Sequence, residues 1–186
     1  IGFGLGIVGI AFLCLQRKFS RAAMLIGAMI LTLVLWTGIR YAVWGDVKSD
    51  NRQIESLMQV HPYQVEDGQE TIGGYIGRVV DNSNLYISKH LMRIIGLHKA
   101  DDRSINGSVT ILFYLIFAFG AYRAWRKGNV ALKLLALSSV VMLGITFVVL
   151  QALWDQVRLI VPYVAPALLI VLFGLMEILR IIINSK

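Results

Sequence analysis

Charge is scarce in this chain. Charged residues fill 16% of its 186 positions, against about 25% in an ordinary soluble domain. The single cysteine, Cys14, excludes an internal disulfide, so any exposed segment is held without one. The three histidines, His61, His90 and His98, lack metal-ligand spacing, which argues against a zinc site. There is no phosphate-binding Walker loop, no dinucleotide fingerprint and no Ser/His/Asp pattern. What fills the chain instead is apolar: 57% of residues, with a mean hydropathy of +0.69.

The apolar residues come in long runs: Ile1 to Leu15, Ala22 to Val43, Val109 to Ala121 (reaching Trp125 if Tyr122 and Arg123 lie at an interface), Val130 to Leu153, and Leu159 to Leu179. A hydrocarbon core of roughly 30 Å needs about 20 helical residues. The second, fourth and fifth runs meet that need, and the third does so by borrowing its flanks. The first run would reach only about 22 Å. It reads as a helix that starts upstream of Ile1, which makes the chain the C-terminal part of a longer protein. The expected fold is all-α, a polytopic transmembrane bundle of about five spans with a small helical extracytoplasmic loop. Residues 1–44 hold spans one and two, 45–108 the loop, and 109–186 spans three to five.

Charge placement sets the expected orientation. Segment 45–108 carries all the acids except Asp155 and Glu177, and its net charge is −2. Arg17, Lys18, Arg21, Arg123, Arg126, Lys127, Lys133, Arg180 and Lys186 fall on one side if the chain crosses five times. Cytoplasmic flanks are the basic ones. The loop therefore lies outside and the C-terminus inside, and the overall charge of +7 is a topology signal that excludes nucleic acid as a partner.

The loop is too long to lack structure of its own. Asp50 and Gln53 read as a capping box for a helix carrying Ile54, Leu57 and Met58 and stopped by Pro62. Glu66 to Gln69 reads as a turn. Ile72, Tyr75, Ile76, Val79 and Val80 share one face of a second helix. From Asn84, residues Ile87, Leu91, Ile94 and Ile95 line one face of a third and Lys89 and Arg93 another, up to a stop at Gly96. Such a helix lies on a bilayer surface with its basic side toward lipid phosphates, or it packs on the other loop helices. Asn106-Gly107-Ser108 fits the glycosylation pattern but abuts span three.

Candidate ligand chemistry concentrates at the turn into span five, where almost no loop is expected. Arg158 stands there beside Trp154, with Pro162 and Pro166 framing one helical turn. An ionisable residue at the mouth of a helix bundle is a functional candidate, and a guanidinium offers a donor fork suited to phosphate. The alternative is that Arg158 snorkels to headgroups, paired with Asp155. Prolines so placed free backbone carbonyls beside a cavity or merely bend the helix.

The Arg158, Pro162 and Pro166 arrangement resembles the GT-C superfamily of membrane glycosyltransferases, the protein mannosyltransferase and aminoarabinose transferase group in particular. Those enzymes carry a pattern like Arg-Tyr-Leu-x-Pro-x-x-Pro near such a turn; here Leu159 replaces the aromatic and the two prolines stand four apart. His61-Pro62-Tyr63, Gly68, Thr71, Arg78, Asn82 and Tyr86 resemble the family's large extracytoplasmic loop. The likeness runs from Trp36 to Leu179.

That resemblance implies transfer of a sugar from a polyprenyl-phosphate donor to a protein or glycolipid acceptor outside the cytoplasm, in a bacterial inner membrane. The family's acidic base or metal ligand lies in its first extracytoplasmic loop, which would precede Ile1, so no catalytic residue is assigned and a divalent metal ion stays an open requirement. Arg158 would hold the donor phosphate, stabilising charge on the leaving group, with Arg78 and Lys89 in the same field. Tyr86, Tyr163 and Gln156 would line the sugar or prenyl chain. A transporter or flippase of lipid-linked saccharide would call for inverted repeats and midspan charge. A noncatalytic scaffold would leave the Arg158 turn without a purpose.

Overall fold

A computed structural model describes residues 2–45, 57–61, 64–97, 105–151 and 155–184. The chain divides into two compact units, Ile1–Thr71 and Ile72–Lys186. Among the described residues four helices are long and apolar enough to cross a membrane, which makes this a helical, multi-pass membrane protein.

In the first unit, α1 (Gly2–Leu15) and α2 (Phe19–Trp44) form an antiparallel pair. Glycines on α1 let α2 approach: a Cβ on Gly9 would sit 3.0 Å from Leu25 Cδ2, and one on Gly6 would sit 2.6 Å from Met29 Sδ. The reversal is tight. Arg17 takes a left-handed φ of 58°, Lys18 N–H donates to the Leu13 carbonyl at 2.9 Å, and Arg17 N–H to the Cys14 carbonyl at 2.9 Å, the double closure that ends helices. At 26 residues α2 is long enough to span, whereas α1, at 14, is not.

The same unit corrects one expectation. Gln59–His61 (β1) and Gln64–Gln69 (β2) pair antiparallel, with His61 opposite Gln64 and Gln59 opposite Gln69. Glu66–Gln69 is therefore strand and not turn. Three residues of β1 stand against six of β2, so the ladder bulges, and Gly68 at φ 79° supplies the conformation the bulge needs. The turn-forming signal in Asp67-Gly68 is spent there. The Asp50–Gln53 capping box lies outside the described residues.

The second unit opens with α3 (Ile72–Ser83), which continues without a break through a π-helical segment, Asn84–Leu91, into a last α-turn, Met92–Ile94. Two expected helices are thus one. Its end falls where glycine predicts: Gly96 has φ 76°, Leu97 N–H reaches the Met92 carbonyl at 2.8 Å, and Gly96 N–H the Arg93 carbonyl at 3.1 Å.

Three spans follow. Helix α4 (Gly107–Lys127) starts at Asn106, whose side chain accepts from Ser108 N–H at 3.0 Å, so the residues of the glycosylation pattern serve as a helix cap. Helix α5 (Val130–Val149) starts the same way at Asn129, which accepts from Leu132 N–H at 2.9 Å. It stops four residues short of the expected Leu153. A 3₁₀ turn at Val157–Leu159 then leads into α6 (Val161–Asn184), so the link expected to be almost absent has structure of its own. Pro162 occupies the first turn of α6, where proline is tolerated, and Pro166 the interior, where it has no N–H for the Pro162 carbonyl.

Phe113 and Phe117 of α4, Leu143 and Phe147 of α5, and Ile160, Val164 and Ile170 at the start of α6 form the core with Tyr86, Ile87 and Leu91 of the π segment. Helices α4 and α6 make the most extensive pairing. They cross where Gly120 meets Gly174: a Cβ on Gly174 would stand 2.8 Å from the Ile116 carbonyl oxygen, and one on Gly120 would collide with the Ile170 carbonyl. Small residues permit this approach, and packing drives span association when lipid removes the hydrophobic incentive. One turn further on, Arg123 Nε donates to Glu177 Oε2 at 2.7 Å, which accounts for a carboxylate buried in a span. Gly120→Leu should therefore separate α4 from α6 and lower the unfolding free energy of the detergent-solubilised protein by about 1–3 kcal/mol. An exposed Gly27→Leu control, with nothing within 4 Å of the added Cβ, should show little change in thermal unfolding.

Candidate functional site

Asn82 Nδ2 donates to the Phe147 carbonyl at 2.8 Å and to the Leu150 carbonyl at 2.7 Å. Both oxygens belong to the C-terminal end of α5, where a helix has no N–H of its own to offer. One side chain of α3 thus caps a membrane span. Further along, Tyr114 of α4 donates its hydroxyl to Ser83 Oγ at 2.8 Å, and Asn106 N–H reaches Ser88 Oγ at 3.1 Å. The α3–π helix is fastened by its polar residues across the end of the bundle formed by the start of α4 and the end of α5.

Burial gives this helix its direction. Arg78, Asn82, Ser83, Ser88, Lys89 and His90 are buried, while Ile72, Ile76 and Val80 face outward. Of the two placements open to the basic side, lipid phosphates or packing on neighbouring helices, Lys89 takes the packed one, and the shared face of Ile72, Ile76 and Val80 is turned out. The reason is the end of α5: its bare carbonyls need donors, and α3 supplies one only by presenting its polar side.

The centre of the arrangement is Asp155. Lys89 Nζ donates to its Oδ2 at 2.5 Å and His90 Nε2–H to its Oδ1 at 2.5 Å. Lys89 and His90 are adjacent, and in the π segment both are buried; π segments recur at functional sites. The Tyr86 ring lies 5.2 Å from the His90 ring and 6.4 Å from that of Phe147. Tyr86 is fully buried, which raises its pKa above 10.0, while a hydrogen bond from the Gln156 backbone and the charge of Asp155 act more weakly in opposite directions. The bond from Lys89 holds the Asp155 carboxylate below its ordinary range, with His90 helping. Burial pushes His90 below 6.5 against the pull of Asp155, so the imidazole is neutral and carries its proton on Nε2.

Among the described residues His90 Nδ1 has no hydrogen-bond partner, and neither does Asn82 Oδ1 or Thr110 Oγ1. Through its bonds to Lys89 and His90, Asp155 anchors the π segment to the link before α6. No group of three or more His, Cys, Asp or Glu side chains that could hold a metal ion occurs among the described residues.

A cavity of about 380 Å³ adjoins the anchor, lined by Asp81, Asn82, Asn84, Leu85, Ile105 and Asp155. At the other end of the bundle a cavity of about 510 Å³ is lined by Tyr122, Arg123, Trp125, Arg126 and Lys127. The first offers carboxylates and amides, the second cations and aromatic rings.

The residues proposed from sequence fall into two groups. Tyr86, Lys89 and Gln156 come together around Asp155. Lys89 is engaged by a carboxylate, and the Arg78 guanidinium lies 5.1 Å from the centre of the Tyr75 ring. Arg158 is exposed and donates its Nε to Gln156 Oε1 at 2.7 Å; Asp155, its partner in the snorkelling alternative, is held by Lys89 and His90. Tyr163 is half-buried against the core. Sequence reasoning missed Asp155 and His90 as partners. The available signal was that Asp155 is one of two acids outside 45–108. The chain matches no protein-family profile, no curated protein and no solved structure.

The anchor should depend on pH with a definite sign. Asp155 has a depressed pKa, so its stabilisation is present above about 3.8 and is lost as pH falls through the folded value. His90 is also depressed, so the fold is favoured above 6.5 and opposed as pH falls below it. Both act in one direction. Hydrogen exchange of amides 84–94, corrected for intrinsic rate, should quicken between pH 7.5 and pH 5 in the native protein, and Asp155→Asn should already exchange fast at pH 7.5.

Proposed function

We propose that this chain is part of an integral membrane glycosyltransferase that takes a sugar from a polyprenyl-phosphate donor and passes it to an acceptor outside the cytoplasm. The observation that supports this reading is the exposed guanidinium of Arg158, oriented by Gln156 at the mouth of the bundle. Of the cations proposed for the donor phosphate, Arg158 alone combines exposure with a fixed orientation; Lys89 is neutralised by Asp155 and Arg78 is buried. An exposed guanidinium at a bundle mouth can take a phosphate without losing an ion pair. The acid-and-amide cavity beside Asp155 repels phosphate but suits hydroxyl groups, which divides a phosphosugar between Arg158 and the cavity.

In this reading Tyr163 and Gln156 border the donor, and Tyr86 supports the site from the core. The protein sits in a bacterial inner membrane with segment 45–108 and the Arg158 end of the bundle outside and the Arg126–Lys127 end in the cytoplasm. The residue that activates the acceptor is not assigned to this chain.

The test is binding of polyprenyl monophosphate to the full-length protein in nanodiscs. Arg158→Ala should weaken binding at least about tenfold, roughly 1.4 kcal/mol, and Arg158→Lys should recover part of the loss. Equal affinity in Arg158→Ala would remove the donor-site assignment.

A further inference from the structure

Helix α3 carries Ile72, Ile76 and Val80 at a spacing of four, one stripe along the helix. These residues are 83%, 63% and 52% exposed. In water such a stripe would be turned inward against a core; here the polar residues on the opposite side hold it out. The exposure is thus enforced by the hydrogen bonds of Asn82 to α5 and of Ser83 to α4.

Those bonds also set the level of the C-terminal end of α3 against the spans. Asn82 touches the last carbonyls of span α5. Ser83 touches Tyr114, which lies seven residues after Gly107 and so about 10 Å into span α4. Helical side chains lean toward the N-terminus, which puts the contact within the first two turns of the span. The C-terminal end of the helix is therefore set against the ends of the spans. Near the same level Val148 and Val149 of α5 are also exposed.

We infer that α3 is a half-immersed interfacial helix whose Ile72, Ile76 and Val80 stripe docks into the acyl chains of the bilayer leaflet at the α5 C-terminal end. Its other side carries Asp81, Asn82 and Asn84 to the cavity beside Asp155. The helix is then a wall with lipid on one face and a polar cavity on the next, and that cavity opens at headgroup depth. This holds whether or not the protein transfers sugars, since it rests on packing and level alone.

Site-directed spin labelling tests it. In a Cys14→Ala background, Ile72→Cys, Ile76→Cys, Val80→Cys and Asp81→Cys of the full chain would each carry a nitroxide. The labelled proteins go into phosphatidylcholine–phosphatidylglycerol vesicles, and collision with oxygen is compared with collision with a water-soluble nickel chelate. Oxygen should dominate by severalfold at 72, 76 and 80, and nickel at 81. Nickel dominance along the stripe would place it in water. Suppression of both reagents there would place it under another protein surface, a second copy included. Either result overturns the inference. The three stripe positions are outward-facing and read the same surface, so a label that perturbs folding at one leaves the other two to decide.

Discussion

Lys89 and His90 arrive at Asp155 from a helix that has turned its polar side toward a membrane bundle, and one end of that bundle depends on that meeting. A buried ammonium is costly unless a carboxylate and good geometry compensate it. Here one carboxylate serves two donors on adjacent residues. Adjacent residues of a regular α-helix point about 100° apart; in this chain both sit in a π segment and converge on one acid. Asn82 adds the second fastening by capping α5. Together they close the end of the bundle, position the link that carries Gln156 and Arg158, and dictate that Ile72, Ile76 and Val80 look outward.

The opposite end of the bundle is held by a different device. Gly120 and Gly174 bring α4 and α6 into backbone contact, and Arg123 with Glu177 closes the pair one turn later. A chain with so few acids uses both of those outside 45–108, Asp155 and Glu177, as ion-pair partners, one at each end. Their scarcity makes each one structural.

Much of the fold was legible in the residues, because a span announces itself by length and apolarity alone. Helices α2, α4, α5 and α6 fall on the predicted runs, and the glycine at 96 ends its helix as read. What was not legible was direction. Periodicity shows that Ile72, Ile76 and Val80 share a face; it does not say whether the face meets a core or lipid. The two environments invert the assignment, and the bare carbonyls that decide it come from residues 65 and more positions away. The ribbon at 59–69 was missed because its glycine signal serves a bulge. At the site, exposure of Arg158 followed from its position at a span mouth. The engagement of Lys89 did not, because an ion pair between residues 66 apart leaves no local trace.

The central claim is energetic: Lys89 and Asp155 are coupled, and their pairing holds the α3–π helix on the bundle. A double-mutant cycle measures this directly, using Lys89→Met, Asp155→Leu and the pair, with unfolding followed in detergent at pH 7.5. The account predicts that each single change destabilises and that the double change costs less than their sum by about 1–3 kcal/mol. Strictly additive losses would show that the two residues act independently, and the anchor would have to be sought elsewhere.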